Sequence, residues 1–249
     1  MIDTPSSKQP IVAHLLEMRN RLLQCIVVIF IIFLGLFAYS NELYIYISEP
    51  LTIHLPATSS MIATDVTSPF LTPFKLALVL SVFAAMPFIL YQIWAFVAPG
   101  LYQREKKIVV PLFLSSVALF YGGMAFAYHI VFPLIFTFFT SVSPEGVLVM
   151  TDIRSYLDFI LKLFFAFGLS FEIPIAIVIL SWMGLVNPTQ LAKRRPYVFV
   201  ICFVLGMLLT PPDIISQTLL AIPMWLLFEL GIAFSKIIKP ESIEKSAAS

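Results

Sequence analysis

Charge is scarce in this sequence. Asp, Glu, Lys and Arg make up 12% of its 249 residues, against roughly 25% in a soluble globular domain. Hydrophobic residues supply 60%, and the mean hydropathy is +0.98, so one bilayer-embedded domain is expected. No basic run is long enough, or interleaved with enough aromatics, for nucleic-acid binding. Cysteine is nearly absent. Cys25 and Cys202 both fall in apolar runs, where they read as small hydrophobes rather than a disulfide or a metal pair. The three histidines are spread along the chain, so a His-based metal site is not expected, and no other feature asks for a cofactor. A Gly-x-Ser-x-Gly elbow, a His-Glu-x-x-His helix and a Gly-rich phosphate loop are all missing, which argues against an enzyme. Internal repeats and low-complexity tracts are missing too.

Long apolar runs are what the chain has. They cover about Leu22–Ala38, Phe74–Val97, Ile108–Pro133, Ser155–Trp182, Tyr197–Leu209 and Ile214–Phe234. A helix crossing the hydrocarbon needs roughly 17–25 apolar residues at about 1.5 Å each. The second, third and fourth runs exceed that. The fifth, at about 13 residues, spans roughly 20 Å of a core about 30 Å thick. The sixth opens on polar Ser216, Gln217 and Thr218 and carries Glu229 near its end. The last two runs are therefore either short crossings of a locally thinned bilayer or a re-entrant hairpin turning at Thr210-Pro211-Pro212-Asp213. A carboxylate at the bilayer centre costs about 2.5–3.5 kcal/mol, so Asp213 favours two short crossings. The first run is longer than the roughly 7–15 residues of a cleavable signal core and reads as a retained helix.

Almost every cation sits in one of four clusters between these runs. Lys8, Arg19 and Arg21 precede the first. Arg104, Lys106 and Lys107 follow the second, Lys193, Arg194 and Arg195 follow the fourth, and Lys236, Lys239 and Lys245 close the chain. The alternate gaps are acidic, with Glu42, Glu49, Asp65, Glu145, Asp152 and Asp213. Lys and Arg in short loops mark the cytoplasmic side. The expected architecture is an all-α inner-membrane protein with six transmembrane helices. It is a single domain over 1–249, with both termini cytoplasmic and a tail at 235–249. Pro87, Pro111, Pro174 and Pro223 are expected to kink their helices into a curved scaffold. Residues Glu42–Leu55 have the spacing of a short interfacial helix.

Glu172 is the sharpest single residue, lying well inside the fourth run. Pro174 has no N–H, so the carbonyl of Ser170 loses its helical partner, and the two make a polar spot at membrane depth. Intramembrane carboxylates are read as functional by default, although a structural Glu facing another helix satisfies the same pattern. In the same run Asp158 and Lys162 stand four apart and are expected to pair with each other. Lys162 is roughly 15 Å from Glu172 along the helix. Glu17 precedes Arg21 by four, the favourable order for an ion pair, and Glu105 sits among Arg104, Lys106 and Lys107.

Four segments together resemble the TatC family, the multispanning subunit of the twin-arginine protein translocase. They are His14-Leu15-Leu16-Glu17-Met18-Arg19-Asn20-Arg21-Leu22, then Ala98 to Lys107, Phe167-Gly168-Leu169-Ser170-Phe171-Glu172-Ile173-Pro174, and Thr210-Pro211-Pro212-Asp213-Ile214-Ile215-Ser216-Gln217. Met18 stands where the family usually has Leu. The resemblance implies a six-helix receptor, in a bacterial inner membrane, for twin-arginine signal peptides of folded precursors. It implies single-span TatA- and TatB-type partners in a multimeric complex, and transport driven by the proton-motive force. It places signal-peptide binding at Glu17 and Glu105 with Arg19 beside them, and partner-helix association at Glu172. It carries over Thr210, Pro211, Pro212, Asp213 and Gln217 as an external motif. A proton-coupled secondary transporter with Glu172, Asp158 and Lys162 as its relay is the competing reading.

Overall fold

The structure, a computed structural model, describes residues 9–52, 61–97, 106–142, 151–210 and 213–237. Among them helices follow one another with no strand, only an isolated bridge between Ile62 and Asp152. Helix α1 (Gln9–Phe37) leads to the short α2 (Ser40–Thr52), a helix where one was expected over Glu42–Leu55, of which residues 53–55 lie outside the described residues. The second run is a broken pair, α3 (Ser68–Ala84) and α4 (Met86–Val97), bent by 44°. The third is α5 (Lys106–Phe126), a π-helical turn (Ala127–Val131) and α6 (Phe132–Ser141). The fourth is α7 (Ile153–Ser170) and α8 (Ile173–Trp182); after α9 (Pro188–Lys193) come α10 (Arg195–Leu209) and α11 (Ile214–Ile237). Each apolar run thus lands on a helix or a helix pair. Among the described residues four stretches are long and apolar enough to cross a membrane: Leu15–Phe37, Val110–Phe139, Ile153–Trp182 and Ile214–Ile237. The bent pair makes a fifth, and the apolar α10 is shorter than any of them, as its run is.

The prolines act unequally. Pro87 and Pro174 sit in the first turns of α4 and α8 and coincide with helix breaks. Pro111 and Pro223 stay inside α5 and α11 without one. Pro133 lies just past the π-helical turn, where the Phe132 N–H reaches back five residues to the Ala127 carbonyl. A wider turn accommodates a ring that clashes with the carbonyl four residues before it.

Helix α7 is the hub, packed against α3 and α5. Leu157, Ile160, Leu163 and Phe167 of α7 are fully buried with Leu76 of α3 and Phe120 of α5. Helix α8 packs instead against α11, which also carries α10. Outward faces remain apolar: Leu22, Ile26, Phe30 and Leu34 of α1 are exposed, as are Val200, Val204 and Leu208 of α10. Such outward apolar faces suit lipid, in which helices satisfy their backbone hydrogen bonds internally.

The acid-rich end is closed by one cap. Ile62 exchanges backbone hydrogen bonds with Thr151 (3.0 Å) and Ile153 (2.9 Å). Asp152 starts α7, accepting from the Ser155 N–H at 2.9 Å and the Thr64 N–H at 3.2 Å, besides both hydroxyls. The Ser155 backbone bond above all, with the Thr64 and Ser155 bonds beside it, holds the Asp152 carboxyl down at about 2. A lowered carboxyl contributes stability above its ordinary range, and the contribution disappears as pH falls through the folded value. Asp152→Asn is therefore expected to lower the melting temperature at pH 7 and to flatten its fall between about pH 4 and pH 2. Melting curves across that range check it.

Two cations outside the four clusters also lie at this end. Lys75 of α3 holds Asp158 at 2.6 Å, and Arg154 stands 3.6 Å from Asp65. The expected Asp158–Lys162 pair is thus not formed. Asp158 turns across the α3–α7 contact to Lys75, while Lys162 is exposed and makes no ion pair among the described residues.

Candidate functional site

Three polar places interrupt the apolar scaffold. The first lies where α1 enters from the cation-rich end. Arg21 donates from Nε and Nη2 to Glu17 Oε1 at 3.0 and 2.7 Å, as the spacing of four predicts. Its Nη1 reaches the Gln92 side chain of α4 at 2.8 Å, and Gln92 donates onward to Gln24 at 2.7 Å. Gln92 is buried and Glu17 exposed. Arg19, two residues from Glu17 and so on another face, bonds the side chain of its neighbour Asn20 instead. Below the Arg21–Gln92 bond a groove of about 390 Å³ runs between α1 and α4, lined by apolar Met18, Leu22, Ile26, Ile89 and Phe96. The guanidinium of Arg21 thus lines the apolar groove while holding the carboxylate of Glu17 beside it. Glu105 lies outside the described residues.

The second place is the break between α7 and α8. Glu172 occupies it, and its Oε2 accepts a short hydrogen bond from the Ser116 hydroxyl of α5. Its Oε1 is buried without a partner among the described residues. Ser170 bonds its own helix, at the Ala166 carbonyl (2.6 Å), and Pro174 is buried against Gly231 of α11. The polar spot is therefore Glu172 with Ser116. Sequence reasoning missed Ser116, because nothing in an apolar stretch tells which serine faces a helix 56 residues away.

The third is the turn between α10 and α11. Thr210 bonds the Gly206 carbonyl (3.0 Å), and Asp213 caps α11 through the Ser216 N–H (2.6 Å). Gln217 donates to the Phe203 carbonyl across the hairpin at 2.7 Å. Its backbone packs on Gly206, where a Cβ would meet the Gln217 carbonyl at 3.2 Å. Pro211 and Pro212 lie outside the described residues. At the opposite end Arg195 grips Glu229 with two parallel bonds of 2.6 and 2.7 Å, a geometry suited to a planar guanidinium. The short hairpin is clipped at both ends.

The transporter reading needs Glu172, Asp158 and Lys162 to form one relay, and they do not. Glu172 bonds Ser116, Asp158 bonds Lys75, and Lys162 bonds neither.

Residues 13–223 match the family model described as Sec-independent protein translocase protein (TatC). The Sec-independent protein translocase protein TatC of Azotobacter chroococcum mcd 1 is 56% identical over 251 residues, covering 100% of this chain and 98% of the relative. That of Escherichia coli K12 is 58% identical over 228 residues, covering 92% and 88%. A crystal structure of the twin arginine translocase receptor TatC superposes with a TM-score of 0.81 at 36% identity, covering 90% of this chain and 98% of that one.

Proposed function

The chain belongs to the TatC family, a receptor component of the Sec-independent, twin-arginine translocase, and we propose that it receives the arginine pair of a signal peptide on Glu17 and Glu105. One observation carries this. Glu17 is exposed and already accepts a guanidinium through Oε1, that of Arg21, which itself lines the apolar α1–α4 groove. Its Oε2 accepts no hydrogen bond among the described residues. An incoming arginine can take that oxygen, while the hydrophobic stretch after an arginine pair lies along the groove. A guanidinium presents paired donors in a fixed plane and an ammonium does not, so two carboxylates favour Arg-Arg over Lys-Lys.

The cation-rich ends are cytoplasmic in this reading, the chain crosses a bacterial inner membrane six times as a single domain, and both termini face the cytoplasm. It binds and hands over precursors without itself catalysing a reaction. Glu172 serves the single-span TatA- and TatB-type partners of the complex, since a hydrogen bond between membrane helices is worth about 0.6–2 kcal/mol. The external turn around Asp213 and Gln217 is a second partner surface. The proton-motive force drives transport.

Signal-peptide binding to the purified protein tests the receptor site. An Arg-Arg peptide is expected to bind about tenfold tighter than its Lys-Lys version, with Glu17→Gln and Glu105→Gln each giving up about the same factor. Binding that ignores both the peptide change and the two carboxamides would place recognition elsewhere.

A further inference from the structure

At the acid-rich end a cleft of about 210 Å³ opens between α3 and α7. Its polar wall holds Lys75, Arg154 and Asp158, and its apolar wall Leu71 and Phe74. Both cations stand at span ends. Arg154 is in the first turn of α7, and Lys75, two turns into α3, reaches Asp158 in the second turn of α7. Around them the outward face of α3 is apolar, with Phe70, Leu71 and Phe74 exposed before Lys75 and Leu78 exposed one turn deeper. We propose that this cleft binds the phosphodiester headgroup of a phospholipid in the leaflet at the acid-rich end, with its acyl chains running deeper along α3 past the exposed Leu78.

The donors are in place. Arg154 is 58% exposed, and its 3.6 Å approach to Asp65 exceeds hydrogen-bond length. It makes no hydrogen bond among the described residues, so its planar fork is available to phosphate oxygens. Lys75 spends one of its three donors on Asp158 and is 49% exposed, leaving two. Thr72, in the same wall, is 3% exposed, and its hydroxyl has no partner among the described residues. Buried hydroxyls are nearly always hydrogen-bonded, and a rotamer change would turn this one toward a headgroup oxygen. The nearby acids, Asp65 and Asp158, balance the two cations. A headgroup carrying its own ammonium is thus accommodated as readily as an anionic one.

Native mass spectrometry of the full chain in detergent tests this with four probes: phosphatidylethanolamine, phosphatidylglycerol, dioleoylglycerol and inorganic phosphate. Both phospholipids are expected to be retained and dioleoylglycerol not. Arg154→Gln is expected to weaken retention about tenfold, and it disturbs only an exposed ion pair. Lys75→Gln with Asp158→Asn removes both partners of the other pair together, leaving no unpaired acid, and is expected to act alike. Retention unchanged in both variants, or matched by dioleoylglycerol, overturns the proposal. Inorganic phosphate displacing the lipid also overturns it, since the cleft would then belong to a free anion. Signal-peptide binding is not involved in any arm, so failure here leaves the receptor reading untouched.

Discussion

Gly123→Ala is expected to destabilise the purified protein by about 2–3 kcal/mol, the upper part of the usual range for overpacking, and to lower its melting temperature by roughly 5–10 °C. A Cβ at this position would stand 2.5 Å from the Phe167 carbonyl oxygen and 2.9 Å from its carbon. The obstacle is backbone, so no rotamer relieves it, and α5 must move off α7. The contact is reciprocal. Gly168, the next residue of α7, accepts the ring of Phe120, which would come within 2.7 Å of an added Cβ. Small residues that let membrane helices approach closely are the usual basis of their packing, because lipid offers no hydrophobic drive between them. Gly231 does the same for α11, where a Cβ would meet the Pro174 Cα at 2.9 Å. The control is one residue away. Gly122 would place its Cβ with nothing within 4 Å, so Gly122→Ala is expected to be neutral or to gain up to about 1 kcal/mol in helix propensity. Melting curves of the two alanine variants, side by side in one detergent, decide the matter. Equal curves would mean that the α5–α7 contact yields.

Much of this fold was legible because a bilayer demands long apolar segments, and such segments announce themselves in composition. All six runs fell on helices or helix pairs, α10 is as short as its run, and α2 (Ser40–Thr52) covers the described part of Glu42–Leu55. Spacing along one helix also held where the partner was local, as for Glu17 and Arg21. It failed where a partner on another helix competed. Asp158 and Lys162 have the same spacing of four, but Lys75 from a residue 83 positions away takes the acid. Gln92 and Ser116 were invisible for the same reason. Their roles depend on how α4 and α5 are rotated against α1 and α8, and apolar residues on all sides leave no amphipathic pattern to report that rotation. Glu172 itself was found because a carboxylate in hydrocarbon needs an explanation. Its partner was not, because a serine needs none. The bond from Gln217 to the Phe203 carbonyl was equally invisible, because it crosses between two helices.

Ser116→Ala is expected to destabilise the protein by about 1–3 kcal/mol, the cost of leaving a buried polar group without its partner. Ser116 is 1% exposed and supplies the hydrogen bond that Glu172 accepts, while the other carboxyl oxygen of Glu172 has no partner among the described residues. Removing the hydroxyl leaves the carboxyl with no side-chain donor among the described residues. Glu172→Leu removes the need as well as the group. The Ser116 hydroxyl can then turn to a carbonyl of its own helix, so this variant is expected to melt near the wild type. In the double variant, Ser116→Ala is expected to cost little more than Glu172→Leu alone, giving a coupling of about 1–3 kcal/mol between the two positions. Transport by membrane vesicles separates stability from use. If Glu172 serves a partner helix, the leucine variant stays folded and loses export, whereas Glu172→Gln, which keeps an acceptor for Ser116 and adds a donor, retains part of it. Additive melting shifts would mean that Ser116 and Glu172 do not act as a pair. A leucine variant that exports at the wild-type rate would show that the carboxyl at the α7–α8 break shapes the helix and does nothing more.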